Sequence, residues 1–374
     1  MAEFWIYLSA LIIVLYVLLS ALIIFSIRRQ KEATAKDTSE LPTVSLVIAA
    51  RNEEENLPAL FTSLKMLDYP AHLLEIILID DGSIDQTRKI AEAQQAALPH
   101  LHVISPEKKY PNLNGKANAL HNAILQAKGK FIAITDADCS LPPTWLQAHI
   151  GHYDEQTAMV GGITITTKTE DEKRLFYQMQ AHDWLYLLGS GSAAADLGFP
   201  LSIIGNNMSF RREAYFAIGG YEKIGFSLVE DFALMRALQL DGKQIKLCAN
   251  KKMLVSSAPS PDLHSFLIQR KRWATGGKDV SLIAKGIIIL GFAGKLLPFL
   301  LFAAGKFMTG FFSAGIVFLA DLLILKSIRD KLQHHRMLDH AWLYPFFTVF
   351  YSLLMVPFFF FGKEVKWKGR VYRV

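Results

Sequence analysis

The sequence predicts an α/β domain placed between membrane-spanning helices, and two observations support this fold class. From Thr43 to about Ser257, short apolar runs typical of buried strands alternate with segments of helical spacing. Long apolar runs stand near both ends of the 374-residue chain, which is 51% hydrophobic and only 20% charged. The alternation predicts a mostly parallel α/β sheet, and the apolar runs predict a membrane protein with a soluble middle.

The first apolar run, Phe4 to Ile27, contains no charged residue and exceeds the roughly 20 residues that a spanning helix requires. It is followed directly by four basic residues, Arg28, Arg29, Lys31 and Lys36. Because basic residues mark the cytoplasmic flank of a spanning helix, we expect the amino terminus outside and the middle domain in the cytoplasm. We therefore assign residues 1–30 to a transmembrane anchor.

Two further apolar stretches, Gly286 to Lys326 and Ala341 to Gly362, precede a basic tail at residues 363–374. The first stretch is interrupted by Lys295, Lys306 and Asp321. Three crossings after a cytoplasmic domain would leave the tail outside, whereas the positive-inside rule places it inside. We therefore expect residues 281–362 to form transmembrane or interfacial helices. Lys278 to Leu297 is assigned as the interfacial or re-entrant segment, because it contains lysines and follows a basic stretch.

The charge distribution argues against nucleic acid as a partner. The net charge of +6 is modest and the cations cluster beside the apolar runs, which favours contact with anionic lipid headgroups over a nucleic-acid module. Cys139 and Cys248 form no CxxC pair and no zinc spacing. This cysteine usage fits a reducing cytoplasm.

Each element of the middle domain is predicted from its own pattern. Runs rich in apolar and β-branched residues predict strands at 43–50, 74–80, 101–105 and 130–135. Apolar residues with helical spacing predict helices at 54–67, 83–97 and 116–127.

Acidic clusters follow three of the predicted strands: ARNEE at 50–54, DDGS at 80–83 and DAD at 136–138. Ligands of parallel α/β sheets bind beyond the carboxyl ends of the strands, so the clusters predict one site. Asp136 and Asp138 can hold Mg²⁺ or Mn²⁺ through oxygen ligands, with substrate phosphates filling other positions. Such a cation neutralises charge on a leaving diphosphate.

Two other nucleotide sites are disfavoured. The GK pair at Gly115 and Lys116 is weakly similar to a P-loop, but Tyr110 stands where the first glycine belongs and Ala117 where Ser or Thr belongs. No GxGxxG follows the first strand, which argues against a Rossmann cofactor site.

In this order, the motifs of the chain resemble those of the inverting glycosyltransferases of family 2, in particular their membrane-anchored branch. The segments that carry the resemblance are ARNEEENL, IDDGSID, GKANAL, DADCSLPPTWL, GNNMSFRREAY, VEDFALM and QRKRW. The resemblance implies a cytoplasmic GT-A domain at residues 40–280, with a nucleotide sugar, typically a UDP-sugar, as the donor.

The resemblance also implies a role for each matching residue. Nucleotide recognition falls to Asn52, Glu53, Asp80 and Asp81, and the same pocket is lined by Lys116 and Asn118. In the DxD motif, Asp138 binds the metal and Asp136 faces the nucleotide sugar. The catalytic segment contains the base Asp231 and its neighbour Glu230. The QxxRW motif, which closes over the diphosphate and shapes the acceptor site, consists of Gln269, Arg272 and Trp273.

The acceptor divides the family into two classes. Some members add one sugar to a membrane lipid, as ceramide, carotenoid and hopanoid glycosyltransferases do, and others are processive polysaccharide synthases. We favour a lipid hydroxyl or carboxyl, because a polymer channel usually needs more spanning helices than this chain offers. The apolar, Gly-rich stretch 182–207 is interpreted as a mobile loop over the acceptor, as packed core or as a segment that lies against the membrane.

Two further hypotheses concern other classes of protein. A catalytically inactive, sugar-binding or scaffolding relative would carry a broken motif, and the motifs quoted above are intact. A transporter is disfavoured because the candidate carboxylates lie in the soluble part, whereas transporter sites usually lie near the bilayer midplane.

Overall fold

The computed structural model describes residues 2–32, 40–113, 115–167, 174–276, 280–334, 339–360, 364–367 and 370–373. Lys36 and Lys278, on which part of the topology prediction rests, lie outside these ranges.

The domain is built on a seven-stranded sheet with the strand order β3-β2-β1-β4-β8-β6-β9. Its strands are β1 (Val44–Ala50), β2 (Leu74–Asp80), β3 (Leu101–Ile104), β4 (Phe131–Asp136), β6 (Thr157–Gly162), β8 (Met208–Arg211) and β9 (Gln244–Cys248). A smaller sheet has the order β5-β10-β7, with β5 (Cys139–Ser140), β7 (Thr164–Thr166) and β10 (Val255–Ser257).

The helices have the following bounds: α1 (Ala2–Arg29), α2 (Leu57–Lys65), α3 (Thr87–Ala93), α4 (Gly115–Gln126), α5 (Trp145–Gly151), α6 (Leu175–Asp196), α7 (Arg212–Ala217), α8 (Gly220–Ile224), α9 (Glu230–Leu240), α10 (Leu263–Gly276), α11 (Leu282–Ala303), α12 (Phe307–Leu332) and α13 (Tyr344–Phe360). The tail forms an antiparallel hairpin of β11 (Glu364–Trp367) and β12 (Arg370–Arg373).

The sheet is mixed and mostly parallel, as the sequence predicts. β1 pairs in parallel with β2 and β4, whereas β8 is antiparallel to its neighbours β4 and β6. The register places Asp80 beside Ala50 and Asp136 beside Ala49. Two of the three acidic clusters therefore begin at the same edge of the sheet, next to the end of β1.

Both faces of the central strands are buried. Leu46 and Ile48 of β1 belong to one apolar cluster, and Val47 between them belongs to a second cluster on the opposite face. Successive side chains of a strand point to opposite faces, so a strand covered on both sides is apolar at most of its positions. This explains the nearly continuous apolar runs in the sequence.

Two predicted elements differ from the structure. The predicted helix 83–97 is shorter, because Asp85 accepts a hydrogen bond from the Thr87 backbone (3.0 Å) in a turn that precedes α3. The interpretation of 182–207 as a loop is wrong for its first part, since α6 continues to Asp196. Much of α6 is buried against β7, β9, α1 and α12, and this packing outweighs its glycine content.

Four helices are long and apolar enough to cross a membrane: Tyr7–Arg29, Leu282–Ala303, Phe307–Leu332 and Ala341–Phe358. Candidate membrane helices therefore stand near both ends of the chain, as predicted. α1, α11 and α12 pack on one another.

Two of the charged residues within the apolar stretches, Lys295 and Asp321, pair with each other. Asp321 of α12 is fully buried and pairs with Lys295 of α11. It also accepts hydrogen bonds from Tyr16 of α1 (2.6 Å) and Tyr186 of α6 (2.9 Å). These contacts join α1, α6, α11 and α12 in one buried cluster.

Candidate active site

A cavity lies at the carboxyl ends of β1, β2 and β4, where the sequence predicts the site. Most of the predicted residues line it: Glu53, Asp81, Lys116, Asp136, Asp138, Glu230, Asp231, Gln269, Arg272 and Trp273. Glu53, Asp81, Asp136 and Asp138 lie at or just beyond the carboxyl ends of β1, β2 and β4. The amino-terminal turn of α9 supplies Glu230 and Asp231, and α10 supplies the QxxRW side chains.

Three predicted residues, Asn52, Asp80 and Asn118, do not line this cavity. Asp80 accepts a hydrogen bond from the Ser83 backbone (3.0 Å), and the Asn52 backbone donates to the Ser83 hydroxyl (3.0 Å). Asn118 accepts from the Tyr110 backbone (3.0 Å). In this structure their contacts shape the loops around the cavity, and their role in nucleotide recognition stays a prediction.

The cavity carries more negative than positive charge. Its acidic residues are Glu53, Asp81, Asp136, Asp138, Glu230 and Asp231, and its basic residues are Arg51, Lys116 and Arg272. Like charges crowded in a partly dry cleft repel each other and a diphosphate. An anionic substrate therefore needs further positive charge in order to bind here.

Lys116 joins two of the motifs. Its Nζ lies 2.5 Å from Oδ1 of Asp136 and 3.3 Å from Oε1 of Glu230. Burial lowers the pKa of Lys116, but the two carboxylates outweigh burial and raise its pKa above the usual value. A charged Lys116 therefore holds the DAD turn and the start of α9 next to each other.

Asp231 is held by backbone donors. Its Oδ1 accepts from the Phe232 backbone (2.7 Å) and its Oδ2 from the Gly205 backbone (2.5 Å). A Cβ at position 205 would lie 2.9 Å from Oδ2, so only glycine allows this approach. Burial and the neighbouring Glu230 raise the pKa of Asp231 to about 7, although Lys116 partly opposes the rise.

The segment that presents Gly205 is itself fixed by Asn207. Its side chain accepts from Nε1 of Trp145 (2.9 Å) and donates to the backbone oxygens of Ile163 and Met253 (2.9 Å each). A fully buried amide needs such partners. The GNN and TWL segments, distant in sequence, are therefore parts of one support under the site.

Asp138 lies at the junction of the two sheets. Its Oδ2 is 3.4 Å from the Ser257 hydroxyl, because β10 pairs with β5 so that Ser257 stands opposite Cys139. Among the described residues no group of three or more His, Cys, Asp and Glu side chains is arranged to hold a metal ion. A divalent cation at Asp136 and Asp138 would take its remaining ligands from a bound diphosphate and water.

An aromatic wall closes the cavity on the side of α6 and α10. Trp184 and Trp273 both line the cavity, and their rings meet edge to face with centroids 5.2 Å apart. The Arg270 guanidinium lies 4.3 Å from the centroid of the Trp273 ring and pairs with the buried Asp183. Asp183 also accepts from the Tyr351 hydroxyl (3.0 Å).

Asp183→Ala is expected to lower the free energy of unfolding by roughly 3–5 kcal/mol, because it leaves the buried Arg270 charge without its partner. The matched control is Asp196→Ala at the other end of α6, whose ion pair with Arg29 is partly exposed and contributes about 1 kcal/mol or less. Thermal unfolding of the two variants in the same detergent measures the difference. Equal losses would contradict the importance of the buried pair.

Several residues that line the cavity were not predicted as site residues from the sequence: Arg51, Trp184, Gly205, Asn206 and Ser257. Arg51 and the GNN residues lie inside quoted motifs and could have been found there. Trp184 and Ser257 carry no local signal, because they reach the site only through the packing of α6 and the pairing of β10.

Comparison with known proteins agrees with this fold. The profile of the family Glycosyl transferase family 2 matches residues 45–218. A mannosyltransferase from Pyrobaculum calidifontis, solved with GDP-Man and Mn²⁺, superimposes with a TM-score of 0.56 at 17% identity, covering 96% of this chain and 94% of that one. The fold is therefore GT-A, the class of the nucleotide-sugar glycosyltransferases. The chain contains a glycosyltransferase family 2 domain.

Two curated relatives represent the two acceptor classes. The beta-monoglucosyldiacylglycerol synthase of Synechocystis is 26% identical over 250 residues, covering 64% of this chain and 49% of that protein. The poly-beta-1,6-N-acetyl-D-glucosamine synthase of Staphylococcus aureus is 27% identical over 252 residues, covering 66% and 57%. The chain spans about half the length of the first of these.

Proposed function

We propose that this protein transfers a sugar, with inversion, from a UDP-sugar to the hydroxyl or carboxyl of a membrane lipid. In this proposal residues 1–30 anchor the chain, residues 40–280 form the cytoplasmic catalytic domain, residues 281–362 form the carboxyl-terminal membrane helices, and the tail is residues 363–374. The glycolipid named in the Synechocystis relative supports the lipid acceptor.

One observation carries the proposal. The aromatic wall of the cavity belongs to α6 and α10, and both helices pack against candidate membrane helices. Phe266 of α10 meets the Tyr351 ring of α13 edge to face at 5.2 Å, while Trp273 of the same helix lines the cavity. An acceptor that enters along this wall comes from the apolar side of the molecule, where a lipid is available.

The carboxylates of Asp231 and Glu230 have different proposed roles in the reaction. Inversion requires a base that takes the proton of the acceptor hydroxyl as the hydroxyl oxygen attacks the anomeric carbon, opposite the departing diphosphate. Asp231 is the proposed base, because its backbone hydrogen bonds orient it and its raised pKa suits proton transfer near neutral pH. Glu230 keeps that pKa high, and Arg272 supplies donors for phosphate oxygens.

Asp136 and Asp138 fit a divalent cation in charge and ligand type. The excess of carboxylates in the cavity favours its uptake, and the Mn²⁺ in the mannosyltransferase structure supports the assignment. Mg²⁺ or Mn²⁺ bound there would stabilise the charge that develops on the leaving diphosphate.

The pH dependence of transfer is expected to report Asp231. Because only the ionised base accepts a proton, kcat/KM should fall about tenfold per pH unit below a midpoint near the Asp231 pKa of about 7. In Glu230→Gln the neighbouring negative charge is gone, so the pKa of Asp231 falls and the acid limb moves to lower pH. The exposed Glu213→Gln serves as control, and an unmoved limb in Glu230→Gln would contradict the coupling.

Membrane vesicles containing the protein, supplied with labelled UDP-sugars, test the proposal. Label that passes into organic solvent after the reaction supports a lipid acceptor. Transfer only from GDP-sugars would overturn the choice of nucleotide, and no transfer from any nucleotide sugar would overturn the activity.

A polysaccharide synthase is the second candidate, and the relative from Staphylococcus aureus favours it. In the same experiment that activity would produce a labelled, water-soluble polymer whose length grows with the reaction time.

A further inference from the structure

The position of α13 decides on which side of the membrane the basic tail lies. α13 is apolar enough to cross the membrane. If α1, α11, α12 and α13 all crossed, however, the tail would lie on the side opposite the catalytic domain. We propose that α13 does not cross: it lies in the headgroup region of the leaflet that faces the catalytic domain, and the tail stays on that side.

α11 and α12 form a complete excursion that starts and ends at the catalytic domain. α11 begins shortly after α10, which carries cavity residues. At the end of α12, Lys331 donates to the backbone oxygen of Gln30, just beyond the basic end of α1. Gln333 accepts from Lys251 of the catalytic domain (3.0 Å). The chain has therefore returned to the domain before α13 begins.

Both ends of α13 then contact the catalytic domain. The hydroxyl of Tyr344, its first residue, donates to Asp183 of α6 (3.2 Å). Near its other end, the backbone oxygen of Phe358 accepts from Lys271 of α10 (3.3 Å). Fourteen residues separate these positions, about 21 Å along a helix. If α13 crossed the membrane, one of these two contacts would lie most of the way across the roughly 30 Å hydrocarbon core.

α10 lies outside the hydrocarbon core of the membrane. Its sequence includes the run QRKRW, residues 269–273, and several cations in one turn are too costly for the bilayer centre. Because α13 lies along α10, it has the same depth. That depth is the membrane surface, since α10 also lines the cavity of the catalytic domain.

The outer face of α13 suits this position. Phe346, Phe350, Leu353 and Val356 are 53–58% exposed, and their spacing of four, three and three residues makes one stripe along the helix. The opposite face packs on Phe266 and Leu267 of α10. At the boundary between headgroups and acyl chains, this stripe would contact the acyl chains while the opposite face stays on α10.

The tail completes the arrangement. The backbone of β11 contacts α10, so the tail remains beside the catalytic domain. The last twelve residues, KEVKWKGRVYRV, are rich in Lys and Arg, and each cation near an anionic leaflet contributes about 1 kcal/mol of attraction. Three crossings, α1, α11 and α12, then agree with the positive-inside rule. This proposal places the interfacial segment at α13, whereas the sequence predicts it at Lys278 to Leu297.

Labelling from one side of the membrane tests the topology. Cys139 and Cys248 are buried, so a membrane-impermeant maleimide reports an added cysteine. In sealed vesicles of known orientation, Val374→Cys should react from the same side as Glu213→Cys, which is exposed on the catalytic domain. Ala2→Cys should react from the opposite side. Reaction of Val374→Cys from the side of Ala2→Cys would overturn the proposal.

The depth of α13 gives a second, independent measurement. A fluorophore on Leu353→Cys should be quenched more by lipids labelled near the headgroup than by lipids labelled near the chain end. Leu18→Cys on α1, with similar exposure, should show the reverse order. Stronger quenching of Leu353→Cys by the deep label would show that α13 crosses and would overturn the proposal. Neither readout depends on the sugar or the acceptor.

Discussion

Asp231→Asn is expected to lower kcat for sugar transfer by roughly 10²- to 10⁴-fold, the usual contribution of a positioned general base. The affinity for the donor should change little, because the amide has nearly the size of the carboxylate and removes no donor from the cavity. Titration calorimetry with the nucleotide sugar and initial rates of transfer measure the two quantities separately.

The variant also has a structural cost. The Asp231 carboxylate accepts one backbone N–H on each oxygen, from Gly205 and Phe232. An asparagine satisfies only one of these donors and turns its own NH₂ towards the other. A loss of about 1–3 kcal/mol in stability is therefore expected.

The control is Asp241→Asn, at the exposed carboxyl end of the same helix, where the side chain is 44% exposed. Transfer at the wild-type rate in Asp231→Asn would remove the proposed base. Parallel loss of donor binding would show that Asp231 serves the donor rather than the acceptor.

Asp138→Ala is expected to abolish the dependence of donor binding on Mg²⁺ or Mn²⁺ and to lower kcat/KM by 10²-fold or more, since a catalytic cation stabilises developing charge by several kcal/mol. Asp138 lines the cavity, and its carboxylate lies 3.4 Å from the Ser257 hydroxyl and 3.6 Å from the Cys139 thiol.

Donor binding with and without the cation measures the effect directly. Asp68→Ala, an exposed carboxylate that does not line the cavity, should leave binding and its metal dependence unchanged. Donor affinity in Asp138→Ala equal to that of the wild type, with the same response to added Mn²⁺, would contradict the metal assignment.

Much of the fold could be predicted because its signals are local. A strand such as Val44–Ala50 is apolar at every position but Ser45, since both faces are covered, and that composition is visible without any partner. Asp136 and Asp138 could be nominated because the carboxyl end of a parallel strand is a place where side chains meet a ligand.

Other features have no local signal. The α6 stretch could be interpreted as a loop, because glycines and other small residues are common in loops. In a helix they are favourable only where a neighbouring helix packs closely. At Gly189, an added Cβ would lie 2.4 Å from the Ile328 side chain of α12. The small residues of α6 thus allow close contact with α12, whose residues are more than a hundred positions away in the chain.

The amino-acid sequence alone was enough for the α/β class, the acidic edge of the sheet, the apolar helices near both ends and the resemblance to family 2. These follow from periodicity, composition and motif order, which are properties of neighbouring residues. Tertiary structure was needed to bring Gly205 to Asp231, to place Trp184 beside Trp273 and to lay α13 along α10. Those contacts join residues that are distant in the chain, and only the packing of sheet and helices decides which distant residues meet.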